Sequence, residues 1–509
     1  MKANYLNISE KKRRIYSFIL LSLLLPTLMI INYNLLGFHT NQDRKNIIIN
    51  NVQENLCTSN TYQLVDPINI SSWNDWANYP FISGNGTSLN PFIIENIEIN
   101  GTGVKTILSG NDTRLDYTYR GIFVNANGSF IIQNCKISHT SIGIYLYVGI
   151  SPGTYLIRNV EINNCSIGIY SWWPHVVVNI TNCYIHDCNW VSIKAKLDLH
   201  GYSDYGGVGI WVRSNTGSVI DNCSIHDCAI GMSAGSVEFI RKNEFINCGI
   251  VLSMYFSNYD ISNTVNGKPI GLFWGIDNMI FTQINASQYG QLIFVSCNNL
   301  SLSNIHITEP SSIGIQLYSL SVEQQTTHLS NIVVENQKLA MYIAGRNIVG
   351  DYLSIKNCSA GFYFENIYHS RFTNIMIDNT DIPIYIKTPI NNVTIEIERF
   401  TKFYLVDDMA LYGEKLHVES LDTSYNVSMS YIPELGMRGY VTQFNDNNIY
   451  QLSLVWSYEV RANFTIISGS PYTNPDREIP GYHLFWLWSI VIIGFVILIE
   501  SRRNKFYKN

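Results

Sequence analysis

The sequence is poor in charged residues. Asp, Glu, Lys and Arg together make up 14% of its 509 residues, and the formal net charge is −6. A surface that binds nucleic acid needs clustered Lys and Arg to neutralise phosphates, so this composition argues against such a partner. The 33 tyrosines and the many asparagines favour strands and asparagine-lined turns over amphipathic helices.

The N-terminal apolar run, residues 15–31, is not followed by a clear signal-peptide cleavage site. A basic cluster at 11–14 precedes apolar residues 15–31, which is typical of a signal peptide or signal anchor within residues 1–37. Asn32-Tyr33-Asn34 offers no small-x-small site, so both alternatives stay open. Residues 38–56 are polar without a clear period and are predicted to be a linker.

A second apolar run, residues 482–499, is long enough to cross a bilayer. It carries Trp486 and Trp488 near one end and is followed by a basic tail at 500–509. These features predict a transmembrane helix with a cytoplasmic tail; a buried core helix is the alternative. We therefore expect a cell-surface protein with one pass, or two if the first segment is retained. The fourteen Asn-x-Ser/Thr acceptors from Asn69 to Asn463 are consistent with a glycosylated ectodomain.

The chain is organised around a short repeat: a small residue followed by an apolar, an outward and a second apolar position. Period-2 alternation is typical of a strand, and recurrence after about 18 to 26 residues is typical of a solenoid. The intervals 168 to 209 and 271 to 314 are nearly double, so each hides either a rung without glycine or an insertion. The copies begin at Gly121, Gly143, Gly168, Gly209, Gly231, Gly249, Gly271, Gly314, Ala340, Gly361 and Pro383.

Two columns of like residues accompany this repeat. Coils stacked about 4.8 Å apart share one continuous core that no single coil can form. The sequence therefore predicts a parallel β-helix in which the cysteines form an inward ladder of free thiols. The first column is Cys135, Val160, Cys183, Cys223 and Asn243, and the second is Thr140, Cys165, Cys188, Cys228, Cys248 and Cys358.

The segments on either side of the repeat lack its sequence pattern. Residues 57–103 are predicted to be an N-terminal cap, because the end of a solenoid exposes unpaired strand edges. The β-helix itself is assigned to residues 104–390. From about residue 391 strands still alternate but the glycine column stops, so residues 391–475 are predicted to form a small antiparallel membrane-proximal β module.

Several motifs resemble those of the NosD-like right-handed parallel β-helix proteins. These belong with the carbohydrate-binding and sugar-hydrolase helices, and the membrane-anchored archaeal surface versions are the most similar. The resemblance covers roughly residues 62–390 and implies a right-handed helix of about 12 rungs. The motifs are Gly84-Asn85-Gly86-Thr87, Asn90-Pro91-Phe92-Ile93-Ile94-Glu95, the Asn-Cys-x-Ile rungs and Asn263-Thr264-Val265-Asn266-Gly267-Lys268-Pro269.

The evidence for catalysis is thin. Related pectinase-like hydrolases and lyases need carboxylates or a metal clustered on one strand face. Asn379-Thr380-Asp381 resembles the opening of the polygalacturonase pattern, but the later His-Gly and Arg-x-Lys elements are missing. No catalytic residue and no cofactor are assigned. A carbohydrate-active enzyme and a structural or adhesive protein remain the alternatives to non-catalytic binding.

The repeated Ile-His-Asp-Cys raises the possibility of a metal site. Stacking places His186 near His226 and Cys188 near Cys228, a donor set that suits a soft or borderline metal. Strand alternation, however, points the cysteines inward and the histidines outward. No metal site is assigned.

The outward position of the repeat is aromatic in eight of eleven copies. Such a column either stabilises the coils by ring stacking or offers extended glycans a flat stripe, and the two roles are compatible. If the column is outward, Tyr170→Ser destabilises less than Ile169→Ala. The column is Phe123, Tyr145, Tyr170, Trp211, Ser233, Val251, Phe273, Gln316, Tyr342, Tyr363 and Tyr385.

The chain between Cys188 and Gly209 is longer than one coil, and specificity often resides in loops on a rigid scaffold. A decorative loop is the alternative. We expect this loop to emerge beside the aromatic column and to complete a binding site for a polysaccharide or cell-surface glycan. The predicted site comprises Tyr145, Tyr170, Trp172, Trp190, His200, Tyr202, Asp204, Tyr205 and Trp211.

Overall fold

A computed structural model describes residues 62–468, apart from 110–111, 117, 148–152, 154, 172–176, 189–206, 213–216, 236, 253–259, 261, 320–324, 398–401, 407–413, 422, 433–436, 444–447 and 457–458. The chain divides into a unit of residues 1–60 and a unit of residues 61–509, and the account below concerns the second. The predicted signal segment, linker, transmembrane helix and basic tail lie outside the described residues. Within the described ranges, no helix has the length and apolarity that crossing a membrane requires.

The first half of the described chain is a coil of three parallel sheets, here called A, B and C. Sheet B has seven strands and sheet C has six. A short 3₁₀ helix, Trp73–Asn78, follows the second strand. The strands of sheet A are β1 (Gln63–Leu64), β4 (Ile97–Asn100), β9 (Lys136–Ser138), β12 (Glu161–Asn163), β15 (Tyr184–His186), β18 (Ser224–His226), β21 (Glu244–Ile246) and β23 (Thr264–Val265). The strands of sheet B are β2 (Ile68–Ile70), β7 (Arg120–Val124), β10 (Ile142–Leu146), β13 (Ile167–Ser171), β16 (Val208–Val212), β19 (Ile230–Ala234) and β22 (Ile250–Leu252). The strands of sheet C are β3 (Phe92–Glu95), β8 (Phe130–Gln133), β11 (Tyr155–Arg158), β14 (Val178–Thr181), β17 (Val219–Asp221) and β20 (Phe239–Arg241). A two-stranded hairpin, β5 (Thr106–Ser109) and β6 (Asp112–Leu115), is inserted between sheets A and B.

The core of this block follows from the inward isoleucines. In sheet A, Ile137, Ile162, Ile185 and Ile225 are paired in register, and each is fully buried. In sheet B the inward positions next to the glycines are likewise buried. The predicted parallel solenoid is confirmed, because its apolar residues stack on one another from coil to coil.

Asparagines make the corner between sheets C and A. Asn134, Asn159, Asn182 and Asn222 have φ between 51° and 54°, the left-handed region that asparagine tolerates better than most residues. Their amides also form ladder contacts, since Asn222 Nδ2 donates to Asn182 Oδ1 over 2.8 Å. The asparagine of each Asn-Cys-x-Ile rung therefore turns the chain, and the next residue begins the inward column.

The glycine column is needed for packing and not for an unusual backbone angle. A Cβ atom on Gly143 would lie 2.6 Å from the carbonyl oxygen of Gly168 and 2.7 Å from Ile162 Cγ2. Both distances are shorter than real contacts allow, so a larger residue would push adjacent coils apart.

The two long intervals have different explanations. Strand β13 pairs directly with β16, so residues between 168 and 209 contain an insertion within one coil. The second interval hides a rung at β26, which pairs with both β24 and β28. Leu292 lies opposite Ile315, so Gln291 stands level with Gly314 in the place of the glycine, whereas Gly271 lies opposite Leu292. Both of the alternatives left open by the sequence thus occur, one in each interval.

The second half of the chain continues as a coil of long strands. A tight antiparallel turn between β23 and β24, at Asn266 and Gly267, starts this block. Most strands then pair in parallel with the strand two further along. The strands are β24 (Lys268–Trp274), β25 (Ile280–Thr282), β26 (Gln291–Val295), β27 (Ser301–Ile307), β28 (Ile313–Ser319), β29 (Thr327–Glu335), β30 (Leu339–Arg346), β31 (Ile348–Lys356), β32 (Ala360–Asp378) and β33 (Ile382–Ile397), with one short helix α1 (Gln283–Ala286).

Side chains of the second block cap the last strand of sheet B. Gln291 Oε1 accepts a hydrogen bond from the Ile250 amide over 3.0 Å, and Gln291 Nε2 donates to the Ile250 carbonyl over 2.7 Å. Gln316 Nε2 donates to the Leu252 carbonyl over 2.9 Å. These side-chain amides act as a further strand, so the edge of β22 has its hydrogen bonds satisfied inside the core.

The chain ends in a mixed region. Strand β34 (Lys402–Val406) extends the solenoid, and β40 (Glu459–Ser468) returns to pair in parallel with β33. Between them β35 (Lys415–Glu419), β36 (Ser424–Ser428), β37 (Ser430–Ile432), β38 (Met437–Gln443) and β39 (Asn448–Trp456) pair in antiparallel fashion. The solenoid pairing thus reaches into residues 391–475, just as β1 to β4 bring it into the region assigned to the cap.

Candidate functional site

The aromatic column of sheet B has the predicted register but is not exposed. Tyr145 pairs with Phe123 and Tyr170, and Tyr170 pairs with Trp211. Tyr145 is 9% exposed, and Tyr170 and Trp211 are each 3% exposed. The expectation of a solvent-facing stripe at these rings is therefore wrong.

The rings of this column pack against one another and against a guanidinium. Ring centroids of Tyr145 and Tyr170 lie 4.9 Å apart, and those of Tyr170 and Trp211 lie 4.6 Å apart. Arg120 lies over the Phe123 ring at 3.7 Å and the Tyr145 ring at 4.8 Å. Burial raises the pKa of Tyr145 to about 12. The described contacts support the stacking role of the column.

The column continues in the second block with one change of register. Phe273 pairs with Phe294, which pairs with the buried Leu317, so Phe273 was wrongly placed in the outward column. The turn at 266–267 begins a new strand and shifts the alternation by one residue. Further along, the expected column is present as Gln316, Tyr342, Tyr363 and Tyr385, and it too is buried.

The buried column of the second block includes an ion pair. Glu365 accepts a hydrogen bond from the Tyr342 hydroxyl over 3.0 Å and lies 3.8 Å from Lys387 Nζ. The Glu365 and Lys387 side chains are 7% and 13% exposed. A charge with so little exposure must be paired to be tolerated, which favours a structural role for this group.

Six residues of the predicted site lie outside the described residues: Trp172, Trp190, His200, Tyr202, Asp204 and Tyr205. Five of them belong to segment 189–206, which joins β15 of sheet A to β16 of sheet B. The segment thus follows directly after Tyr184, His186 and Cys188. Its contribution to binding stays a prediction.

The prediction of free, inward thiols is confirmed for the eight cysteines of the two columns, and Cys297, outside those columns, is also free and buried. All nine are free and buried. Burial raises the pKa of Cys135 to about 12 and that of Cys165 to about 11, so neither thiol is a thiolate at neutral pH. No group of three or more metal-ligating side chains occurs among the described residues.

The outer side of sheet A, here called the sheet A face, carries a row of mostly half-exposed polar and charged side chains. Parallel pairing places one outward residue per coil in each of two columns along the solenoid axis. The residues are Glu98, Lys136, Glu161, Tyr184, Ser224 and Glu244 in one column and Asn100, Ser138, Asn163, His186, His226 and Ile246 in the other.

His186 is the centre of this face. Its Nδ1 lies 2.7 Å from Asp187 Oδ2, and its Nε2 lies 4.0 Å from Glu161 Oε1. The Glu161 contact, followed by that of Asp187, raises the pKa of His186 despite partial burial. Contact with His186 also lowers the pKa of Glu161, which Lys136 Nζ approaches at 3.3 Å.

A tyrosine ring and a second imidazole adjoin this cluster. The Tyr184 ring lies 4.6 Å from His186 and 5.1 Å from His226, edge to face with the latter. His226 Nε2 is 2.7 Å from Ser224 Oγ, and burial lowers its pKa. The face therefore combines an aromatic surface with hydrogen-bond donors and acceptors.

Two carboxylates of the sheet A face, Glu161 and Glu244, are too far apart to act as the pair of a glycosidase. Burial raises the pKa of Glu244, as a general acid requires, while Glu161 stays ionised. These residues lie three coils apart, about 14 Å, whereas the two carboxylates of a glycosidase are about 5 to 9.5 Å apart. This pair is therefore not spaced for glycoside hydrolysis.

Sequence reasoning missed this face, although the repeat contained its signal. Lys136, Tyr184 and Ser224 are the x positions of Asn-Cys-x-Ile, and His186 and His226 are the next outward positions. The histidines were considered only as metal ligands, and the variable x position was not followed as a column.

One comparison with known proteins bears on the fold. Residues 120–270 match the family model described as "right handed beta helix region". No curated protein matches the chain. A solved structure, described as the receptor-binding protein of bacteriophage Det7, a podoviral tailspike in a myovirus, aligns with 71% of this chain and 87% of its own at 12% identity and a TM-score of 0.18. That score is too low to carry an argument. The right-handed β-helix is confirmed by the family match.

Proposed function

We propose that the protein binds polysaccharide without cleaving it, through the sheet A face. The observation that carries this proposal is the row of side chains around Tyr184 and His186, one per coil along the solenoid axis, most of them half-exposed. Coils repeat about every 4.8 Å, so an extended chain of sugar rings can meet successive residues. The Tyr184 ring offers an apolar contact, and the neighbouring carboxylates and imidazoles offer partners for hydroxyl groups.

The insertion after β15 supports this location. Segment 189–206 begins three residues after His186. We include its His200, Tyr202, Asp204 and Tyr205 in the proposed site as further ring and hydroxyl contacts. The buried Tyr145, Tyr170 and Trp211 of sheet B are assigned a scaffold role in this proposal.

Anchoring at the cell surface is a second part of the proposal. It rests on the basic residues before 15–31, the apolar run 482–499 and the basic tail after it. Protease added to intact cells should digest residues 57–475 and spare the tail at 500–509. Protection of the large region would contradict this topology.

Binding is tested with the full chain, purified in detergent, on a glycan array and then by titration with a bound oligosaccharide. Tyr184→Ala removes the ring and should weaken binding by about tenfold or more, the equivalent of about 1.4 kcal/mol. His186→Ala should also weaken it.

The matched control is Phe239→Ala. Phe239 is an aromatic residue on the outer side of sheet C, 37% exposed, in the same block. Its replacement should leave binding unchanged. Equal losses from Tyr184→Ala and Phe239→Ala, or binding that survives both Tyr184→Ala and His186→Ala, would remove the sheet A face from the site.

A further inference from the structure

The outer side of sheet C, here called the sheet C face, carries an apolar column. Parallel pairing stacks one residue per coil at this position over six coils, and five of the six are apolar. The first five members are half-buried, and the sixth, Phe239, is 37% exposed. The column of sheet A from Glu98 to Glu244, on the same coils, contains no aliphatic residue. An apolar stripe on the outside of a sheet is typical of a contact surface. In coil order the apolar column is Ile93, Ile131, Leu156, Asn179, Val219 and Phe239.

A polar column runs beside it, two residues further along each strand. Its side chains are held in place by contacts with one another. Gln133 Nε2 donates to Glu95 Oε2 over 2.6 Å, and Arg158 Nε donates to Gln133 Oε1 over 2.8 Å. Arg241 Nη2 lies 3.0 Å from Asp221 Oδ2. The column therefore begins with an acid and ends with a base. In coil order it is Glu95, Gln133, Arg158, Thr181, Asp221 and Arg241.

The polar column is complementary to an inverted copy of itself. A two-fold axis along the strand direction, between the third and fourth coils, sets the first coil of one chain opposite the sixth coil of another. Glu95 of each chain then faces Arg241 of the other, which gives one pair of opposite charges at each end. On the next coils inward, the amide of Gln133 faces the carboxylate of Asp221. Donors and acceptors are thus matched across the axis.

The same operation sets the apolar column against itself. Ile93 faces Phe239, and Ile131 faces Val219. Outward side chains of two sheets packed face to face interdigitate across about 10 Å, so these residues would leave water together. The polar pairs then form the rim on one side of this apolar contact, which is the usual arrangement of an interface between proteins.

Other arrangements of the two faces lose this match. A shift by one coil in one direction sets Glu95 against Asp221 and Arg158 against itself, both of them contacts between like charges. A shift in the other direction leaves the first coil without a partner. A copy docked without inversion places the apolar column of one chain against the polar column of the other. The charges therefore select one register as well as one partner.

We propose that the sheet C face binds a second copy of this chain in the inverted, two-fold register. A two-fold interface uses the same patch on both chains, and only a self-complementary patch can form one. Six coils extend over about 24 Å, so the interface is small, and we expect reversible association with a Kd in the micromolar range. The sheet A face takes no part in this contact, so the proposal does not depend on glycan binding.

The test is sedimentation equilibrium of the full chain in a density-matched detergent. Glu95→Arg and Arg241→Glu each place like charges opposite one another at both ends of the interface, and each should weaken association by about tenfold or more. An equimolar mixture of the two variants restores opposite charges at both ends. Its association should return to within about threefold of wild type. Recovery on mixing shows that the single variants are folded and that the two residues face each other across the interface.

Two further variants complete the test. Phe239→Ala shortens an exposed side chain without changing charge and should also weaken association. The matched control is Glu98→Arg, the same replacement on the same coil but on the sheet A face, which should leave association unchanged. Circular dichroism of each variant checks that it folds.

Four results would overturn the proposal. They are a wild-type chain that stays monomeric at about 100 μM, association that survives Glu95→Arg, Arg241→Glu and Phe239→Ala, an equal loss from Glu98→Arg, and a mixture no better than its components. Asn179 gives an independent check, because it is a glycosylation acceptor at the centre of the face and its Oδ1 accepts a hydrogen bond from the Val219 amide over 3.2 Å. A glycan on Asn179, detected by mass spectrometry, would block the face and also overturn the proposal.

Discussion

Replacing Tyr170 by Ser tests whether the aromatic column is scaffold or surface. Tyr170 is 3% exposed, and its ring lies between those of Tyr145 and Trp211 at 4.9 and 4.6 Å. Truncating a buried aromatic residue costs about 3–5 kcal/mol, and the two lost ring contacts are worth about 0.5–1.5 kcal/mol each within that figure. Tyr170→Ser should therefore destabilise at least as much as Ile169→Ala, which costs about 2–5 kcal/mol.

This order is the reverse of the one expected from an outward column. Urea denaturation of the full chain, followed by circular dichroism, measures it. Tyr184→Ser is the matched control, because Tyr184 is the same residue type on a half-exposed face of the next coil. We expect it to cost about 1 kcal/mol. Equal effects of Tyr170→Ser and Tyr184→Ser would refute the burial argument.

The remaining predictions concern charge, the junction between blocks and the thiols. Contact with Glu161 and Asp187 raises the pKa of His186, which contributes stability below about pH 6.5 that is lost as pH rises above it, so the melting temperature of wild type minus that of His186→Gln should fall as pH rises above about 6.5. His226, with a lowered pKa, should give the opposite slope when replaced by Gln. Gln291→Ala leaves the buried N–H and C=O of Ile250 without their side-chain partner and should cost about 2–4 kcal/mol in urea denaturation; an effect below that of replacing the half-buried Gln133 by Ala would contradict the capping role. The nine described cysteines should react with iodoacetamide only after denaturation, and rapid labelling of any of them in the folded chain, read by mass spectrometry of its peptide, would contradict their burial.

Residues with local causes could be predicted from the sequence. The spacing of the glycines predicted the length of each coil. Glycine recurs because a side chain at that position would clash with the backbone of the next coil, as at Gly143. The inward columns followed from strand alternation, and Ile137, Ile162 and Cys183 are buried as expected. Asparagine turns followed because few other residues accept positive φ.

Exposure could not be predicted in the same way. Alternation shows that Tyr170 points away from the core of its own coil, but whether another part of the chain covers it depends on contacts distant in sequence. The change of register at Phe273 has a similar origin, since the turn at 266–267 resets the alternation without altering the glycine-like spacing. The capping of β22 by Gln291 and Gln316 is also a contact between blocks, with no signal in the repeat.

The sheet A face shows a different limit. Strand alternation predicts that its residues point outward. Which of their side chains contact one another, such as Tyr184 and His226, depends on how the coils stack. Aligning the repeats predicts that stacking only if the variable x position of Asn-Cys-x-Ile is aligned from coil to coil, as the asparagine, cysteine and isoleucine positions are.

The most direct test of the central claim is hydroxyl-radical footprinting of the full chain with and without a bound oligosaccharide. Side-chain oxidation reports solvent exposure residue by residue. Binding on the sheet A face predicts protection of Tyr184, His186 and His226, with no change at Phe239 on sheet C. Protection confined to sheet C, or unchanged oxidation of all three sheet A residues at saturating ligand, would contradict the account.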